Sequence, residues 1–154
     1  MAYITPQTPQ GQGCIFCTLP AEQRDAENHI LYRGEYCFMM LNRYPYNNGH
    51  LMVAPFAHVG SLDLLDAATL AEMMVQAQLA LRAINQAMNP DGYNMGINQG
   101  KVAGAGFAGH IHLHVVPRWD GDTNFMPILA EVKVMPQHLD SVYEELKKAI
   151  NAVL

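Results

Sequence analysis

Three short apolar runs, "HILYR" (29–33), "YCFMMLN" (36–42) and "HLMVAP" (50–55), follow one another with only turn-length segments between them. Strands in close succession, with no helix to carry the chain back, pair antiparallel. "GE" at 34–35 supplies a hairpin turn, and "RYPYNNG" (43–49) reads as a loop. A long helix comes next. Asp66 can cap it, and Leu70, Met73, Met74, Ala77, Leu81, Ile84 and Met88 recur at helical spacing. The stripe reads as core packing rather than as a methionine-lined groove. "NPDG" (89–92) ends the helix, and "YNMGIN" (93–98) is a further strand. "FMPILAEVKVMP" (125–136) allows one more short strand. From Pro136 to Leu154, Leu139, Val142, Leu146, Ile150 and Val153 share one face of an amphipathic helix. The predicted class is α+β.

The chain's 154 residues suit one domain with a real core. No apolar run approaches the roughly 18 residues of a membrane helix. "MAYITPQTPQGQG" lacks the basic start and apolar stretch of a secretory signal, so residues 1–13 read as a loose arm before a single domain over 14–154. A cytoplasmic location is the simplest expectation. The net charge of −5, with no basic run, argues against nucleic acid as a partner. A small anion remains possible, held by neutral donors and local groups. Three cysteines make an odd number, so no disulfide framework is expected. Cys37 reads as a small core residue.

"GHIHLHVVPRW" (109–119) sets His110, His112 and His114 alternately with Ile111, Leu113 and Val115. This is the period of a half-buried strand, which predicts three imidazoles on one face. At about 3.4 Å per residue the outer two stand about 13 Å apart along the backbone. One zinc, with nitrogen bonds of about 2.0–2.1 Å, cannot take all three from a straight strand. The histidines therefore have separate tasks. A neutral imidazole attacks phosphorus well, provided its other nitrogen donates a hydrogen bond that sets the tautomer. A flanking histidine can hold phosphate oxygens. Just before this segment, the glycine-rich "GKVAGAG" (100–106) can bring backbone N–H groups up to an anion. It is not a P-loop, because the G-K-[ST] ending is absent.

His110-Ile-His112-Leu-His114-Val-Val resembles the histidine triad motif of nucleotide hydrolases and transferases. "CIFC", "LNRYPYNNGHLMVAPFAH", "NQG" and "HVVPRW" agree in order, so the resemblance runs from Cys14 to about Pro117, with a looser fit to the C-terminal helix. "PRWDGDTNFMP" is most similar to the branch acting on diadenosine polyphosphates. The resemblance implies a five-stranded antiparallel sheet with one long and one C-terminal helix, the sheet extended across a homodimer. It makes His112 the nucleophile on the α-phosphate, His114 a ligand of phosphate oxygens and His50 a fourth, supporting histidine. Asn42 would bind ribose hydroxyls, and Asn98 and Gln99 of "NQG" would lie on the phosphate side. Relatives carry G-Q-[ST] before the motif. Here "GAGFAG" has no hydroxyl, so Gly104, Ala105 and Gly106 offer only backbone donors.

"CIFC" taken alone stays open between a metal pair and a redox pair, although it lacks the strand-then-helix context of thioredoxin-like motifs. The resemblance implies structural zinc on Cys14, Cys17, His58 of "P-x-x-H", and His110. A divalent cation could also accompany a polyphosphate substrate. The expected activity is cleavage of dinucleoside polyphosphates through a nucleotidyl-histidine. The alternatives are an adenosine phosphoramidate hydrolase, a zinc-stabilised nucleotide-binding dimer with little turnover, and a hydrolase with zinc on the triad itself. Trp119 reads as packing or base stacking and Arg118 as a solvated cation; His29 and His138 are given no role.

Overall fold

The structure, a computed structural model, describes residues 13–123 and 137–154. Five strands form one antiparallel sheet: β1 (Ile30–Arg33), β2 (Cys37–Leu41), β3 (Leu51–Pro55), β4 (Gly92–Ile97) and β5 (Leu113–Arg118). Their spatial order is β1-β2-β3-β5-β4. After β3 the chain crosses through a long helix to lay down β4 at the edge, and β5 then returns into the gap. The last strand of the triad segment is therefore an interior strand, paired on both sides.

Three helices accompany the sheet among the described residues: α1 (Ile15–Ala21), α2 (Ala67–Met88) and α3 (Leu139–Val153). On one sheet face, Met39, Leu41, Val53, Leu113 and Val115 pack with Met73, Ala77, Ala80 and Ile84 of α2 and Val142, Leu146 and Ile150 of α3. On the other, Ile30, Phe38, Met40, Met52 and Ala54 pack with Cys14 and Phe16 at the start of α1. Every residue of β2 and β3 is buried, which explains why these strands read as continuous apolar runs rather than as alternation.

The long helix starts where expected, with Asp66 Oδ1 accepting the Thr69 N–H at 2.7 Å. It ends at Asn89, in the left-handed conformation at φ 45°. Its buried face is rotated from the apolar stripe: Ala80, Ala83 and Gln76 are buried, whereas Met74 is 56% exposed. Small alanines let the helix lie close to its neighbours, a preference that hydrophobic spacing does not register. The β1–β2 turn is tied to this helix by Glu72, whose carboxylate accepts the N–H groups of Tyr36 and Cys37. A side chain at Gly34 would collide with that carboxylate.

The predicted histidine strand needs correction. Pairing begins only at Leu113, so His114 is the one triad histidine inside β5. Pairing with β3 stops because Pro55 has no N–H to donate and its carbonyl is taken by the His110 ring, 2.8 Å away. The Ile111 N–H turns instead to the Val59 carbonyl at 2.7 Å. Helix α1 is a further element that the apolar pattern did not announce. The short strand expected within 125–136 lies outside the described residues.

Candidate active site and metal cluster

Four buried histidines meet where β3 and β5 run side by side: His50, His110, His112 and His114. Their hydrogen bonds assign a proton to each ring. His112 Nδ1 lies 2.9 Å from the His110 carbonyl, which can only accept, so Nδ1 carries the proton and Nε2 keeps its lone pair. The Tyr46 N–H donates to His50 Nδ1 at 3.0 Å. His50 Nε2 is therefore the protonated atom, and it donates to His114 Nδ1 at 2.9 Å. That leaves the proton of His114 on Nε2. The His112 and His114 rings stand 4.8 Å apart between centroids, His112 presenting a lone pair and His114 an N–H. Burial lowers the pKa of His112, and burial together with the neighbouring His112 pushes His114 down to about 4. Both imidazoles are neutral at neutral pH.

His110 turns away from this pair. Its Nε2–H goes to the Pro55 carbonyl, which leaves the Nδ1 lone pair facing Cys14 Sγ at 3.4 Å, Cys17 Sγ at 3.5 Å and His58 Nδ1 at 3.3 Å. The donor atoms of Cys14, Cys17, His58 and His110 all lie within 4.8 Å of one another. Tetrahedral zinc, with bonds of about 2.0–2.3 Å, separates its ligand atoms by about 3.3–3.8 Å. Two thiols and two imidazole lone pairs, one of them oriented by a carbonyl behind it, fit that ion. Two residues after His58 the backbone runs close to the triad segment, where a Cβ on Gly60 would lie 2.9 Å from the Ala108 carbonyl. Burial, reinforced by Cys14, raises the Cys17 thiol to about 11.

The other predicted residues are less uniform. Asn42 follows β2 directly; its Oδ1 closes a turn by accepting the Tyr44 N–H at 2.9 Å, while Nδ2 lies 3.4 Å from His50. It thus has a structural duty that its loop position concealed. The β4–β5 register ends with Gly96 opposite His114 and Ile97 opposite Leu113, so Asn98 and His112 each lie one residue beyond the last pair. Gln99 is bound elsewhere, its Oε1 accepting the Leu62 N–H. In the glycine loop the N–H groups of Gly104 and Ala105 go to the carbonyls of Lys101 and Gly100. Those donors are spent inside the loop, and a Cβ added at Gly104 or Gly106 would meet nothing within 4 Å.

Several contacts lie outside the reading of the motifs. Arg118 is not a solvated cation: it forks onto Asp122 at 2.6 Å and reaches Asn94. His29 contacts Asp140 at 2.7 Å, and His138 caps α3. Phe16 stacks on His112. Its place inside "CIFC" was the only available signal.

An antiparallel sheet with a buried triad at one interior strand defines a histidine triad protein. The sequence pattern of the HIT domain matches residues 23–121, and the chain belongs to that family. It is 46% identical over 115 residues to the AP-4-A phosphorylase of Mycobacterium tuberculosis, a match covering 75% of this chain and 59% of that protein. The chain thus matches somewhat over half the length of that relative. Among solved structures it resembles a zinc-bound histidine triad family protein from Mycobacterium smegmatis, with TM-score 0.75, 29% identity, and 93% and 96% of the two chains covered. A hypothetical histidine triad nucleotide-binding protein from Sulfolobus tokodaii is similar at TM-score 0.74 and 26% identity, with 91% and 93% covered. No helix among the described residues is long and apolar enough to cross a membrane.

Proposed function

We propose that this chain is a nucleotidyl hydrolase or transferase that cleaves dinucleoside polyphosphates, such as diadenosine tetraphosphate, at the α-phosphate. The observation that carries this reading is the opposed protonation of His112 and His114. The His112 Nε2 lone pair forms an N–P bond with the α-phosphorus as the bridging P–O bond breaks, and the departing nucleotide takes that electron pair. The His114 Nε2–H, held in place by His50, donates to the phosphate oxygens that gather charge. An oxygen of water or orthophosphate then attacks phosphorus, breaks the P–N bond and loses its proton to solvent. His112 is released neutral. In this reading Asn42 pairs with ribose hydroxyls, Asn98 with phosphate oxygens, and the glycine loop contributes the Gly106 N–H. A divalent cation accompanies the polyphosphate.

Zinc on Cys14, Cys17, His58 and His110 is structural in this reading: it ties the start of α1 to the triad segment and contributes no chemistry to the transfer. The protein works as a cytoplasmic homodimer whose sheets join across the two-fold. Similarity to the mycobacterial phosphorylase favours the polyphosphate over an adenosine phosphoramidate and orthophosphate as acceptor.

Diadenosine tetraphosphate incubated with and without orthophosphate separates the acceptors. ADP formed only with phosphate marks a phosphorylase, and AMP formed in its absence marks a hydrolase. Neither product, and no adduct on His112 after an acid-free quench, would refute the reading. A zinc-stabilised binding dimer with little turnover is the second reading. It is favoured by the missing hydroxyl and the occupied N–H groups of Gly104 and Ala105, and it predicts tight nucleotide binding with no adduct.

A further inference from the structure

Phe16 stands between the two cysteines of "CIFC", in the first turn of α1, and is 1% exposed. Its ring stacks on the His112 imidazole with centroids 4.5 Å apart and planes 28° from parallel. The same ring meets His110 at 5.2 Å and takes Phe107 edge-on at 5.8 Å. His112 is thus gripped twice: Phe16 covers a face, and the His110 carbonyl holds Nδ1–H at 2.9 Å. Both grips originate in the Cys/His cluster. Phe16 is flanked by Cys14 and Cys17, and the carbonyl belongs to His110 itself.

We infer that Phe16 is a positioning residue for His112, and that the Cys14–Cys17–His58–His110 cluster sets the plane of that imidazole by pinning the first turn of α1 against His110. A single hydrogen bond fixes one atom of the ring and leaves rotation about the soft terminal torsion. A stacked face removes that rotation. The Nε2 lone pair lies in the ring plane, so the plane decides whether it points at an incoming phosphorus or beside it. An ion on the cluster would join both ends of Phe16's turn to the residue whose carbonyl holds His112. The catalytic consequence rests on the reading of His112 as nucleophile; the structural coupling does not.

Nuclear magnetic resonance on the full chain tests the coupling directly. Ring protons of His112 should show a ring-current displacement from Phe16, and long-range proton–nitrogen correlation should show one tautomer, protonated at Nδ1. Phe16→Leu should abolish the displacement and mix the tautomers. It should lower kcat about tenfold while KM stays within about twofold, and Phe16→Tyr, which keeps the ring, should restore both. Removing metal from the wild-type chain should produce the same change in the His112 signals, reversed by added zinc, with little further change in Phe16→Leu. Undisplaced His112 protons in the wild type, or a Phe16→Leu protein with one tautomer and unchanged kcat, would overturn the positioning role. If Phe16→Leu does not fold, wild-type His112 signals that ignore removal and return of zinc overturn the link to the cluster. Displaced signals in a chain that never forms an adduct on His112 would sink the nucleophile reading and leave the coupling standing.

Discussion

A buried imidazole has two nitrogens to satisfy, and the atom that finds a partner decides what the other can do. His110 gives Nε2–H to Pro55 and keeps Nδ1 for the cluster, whereas His112 gives Nδ1–H to His110 and keeps its lone pair on Nε2. Substituting His112 by Asn removes the attacking lone pair but little volume. Turnover should fall by several orders of magnitude while nucleotide affinity, read by calorimetry, holds. Turnover within tenfold of wild type would exclude a covalent role. Asn42 carries two duties, a turn through Oδ1 and an amide beside His50. Asn42→Ala should weaken ribonucleotide binding about 2- to 12-fold, the equivalent of one neutral hydrogen bond of about 0.5–1.5 kcal/mol. Binding of 2′,3′-dideoxy analogues should change less. Equal losses for the two ligands would assign Asn42 to its turn alone.

At the scale of elements, short segments are held by side chains rather than by length. Helix α1 runs only from Ile15 to Ala21, and its start is buried by Phe16 and by the cysteines facing His58 and His110. Cys17→Ser should lower the metal content from about one zinc per chain and lower the melting temperature. Metal-free protein that melts with the wild type would defeat the idea of structural zinc on the cluster. The end of β5 is clamped differently. Asp122 accepts Arg118 at 2.6 Å, Asn47 Nδ2 at 2.7 Å and the Trp119 N–H at 3.1 Å, which ties the strand's exit to the loop before β3. The Arg118 guanidinium, and then the Trp119 N–H, hold this carboxyl well below the usual carboxylate range. A depressed folded pKa adds stability above the unfolded value of about 3.9, which is lost as pH falls through the folded value. Asp122→Asn should therefore melt below wild type at pH 7, and the gap should narrow progressively below about pH 4. A gap that is constant with pH would remove the charge from the explanation.

For the whole molecule, the strand order places β5 between β3 and β4, so His114 is braced on both sides while β4 remains an edge. Strand β4 pairs only with β5 among the described residues, and Met95 on it is 40% exposed. An open edge of this kind is a template for strand pairing with a second copy. Light scattering should give a mass twice the 17.1 kDa of the chain. A mass of one chain at micromolar concentration would count against the joined sheet.

Much of this protein is written in local sequence. Turn residues between apolar runs dictated an antiparallel sheet, the caps of α2 were visible in Asp66 and "NPDG", and the amphipathic face of α3 appears as spaced, since period and capping are short-range physics. Histidines at alternate positions announced a site. Tertiary structure alone decided which ring nitrogen serves which task. The partners that set the tautomers, the Pro55 carbonyl for His110 and the Tyr46 N–H for His50, lie 55 and 4 residues away in the chain. It also decided that Arg118 clamps Asp122, that His29 meets Asp140 across the fold, and that the glycine loop turns two of its donors inward. A hydrogen bond depends on where two groups finally stand, and for a buried ring that position is fixed only when every packed neighbour is in place.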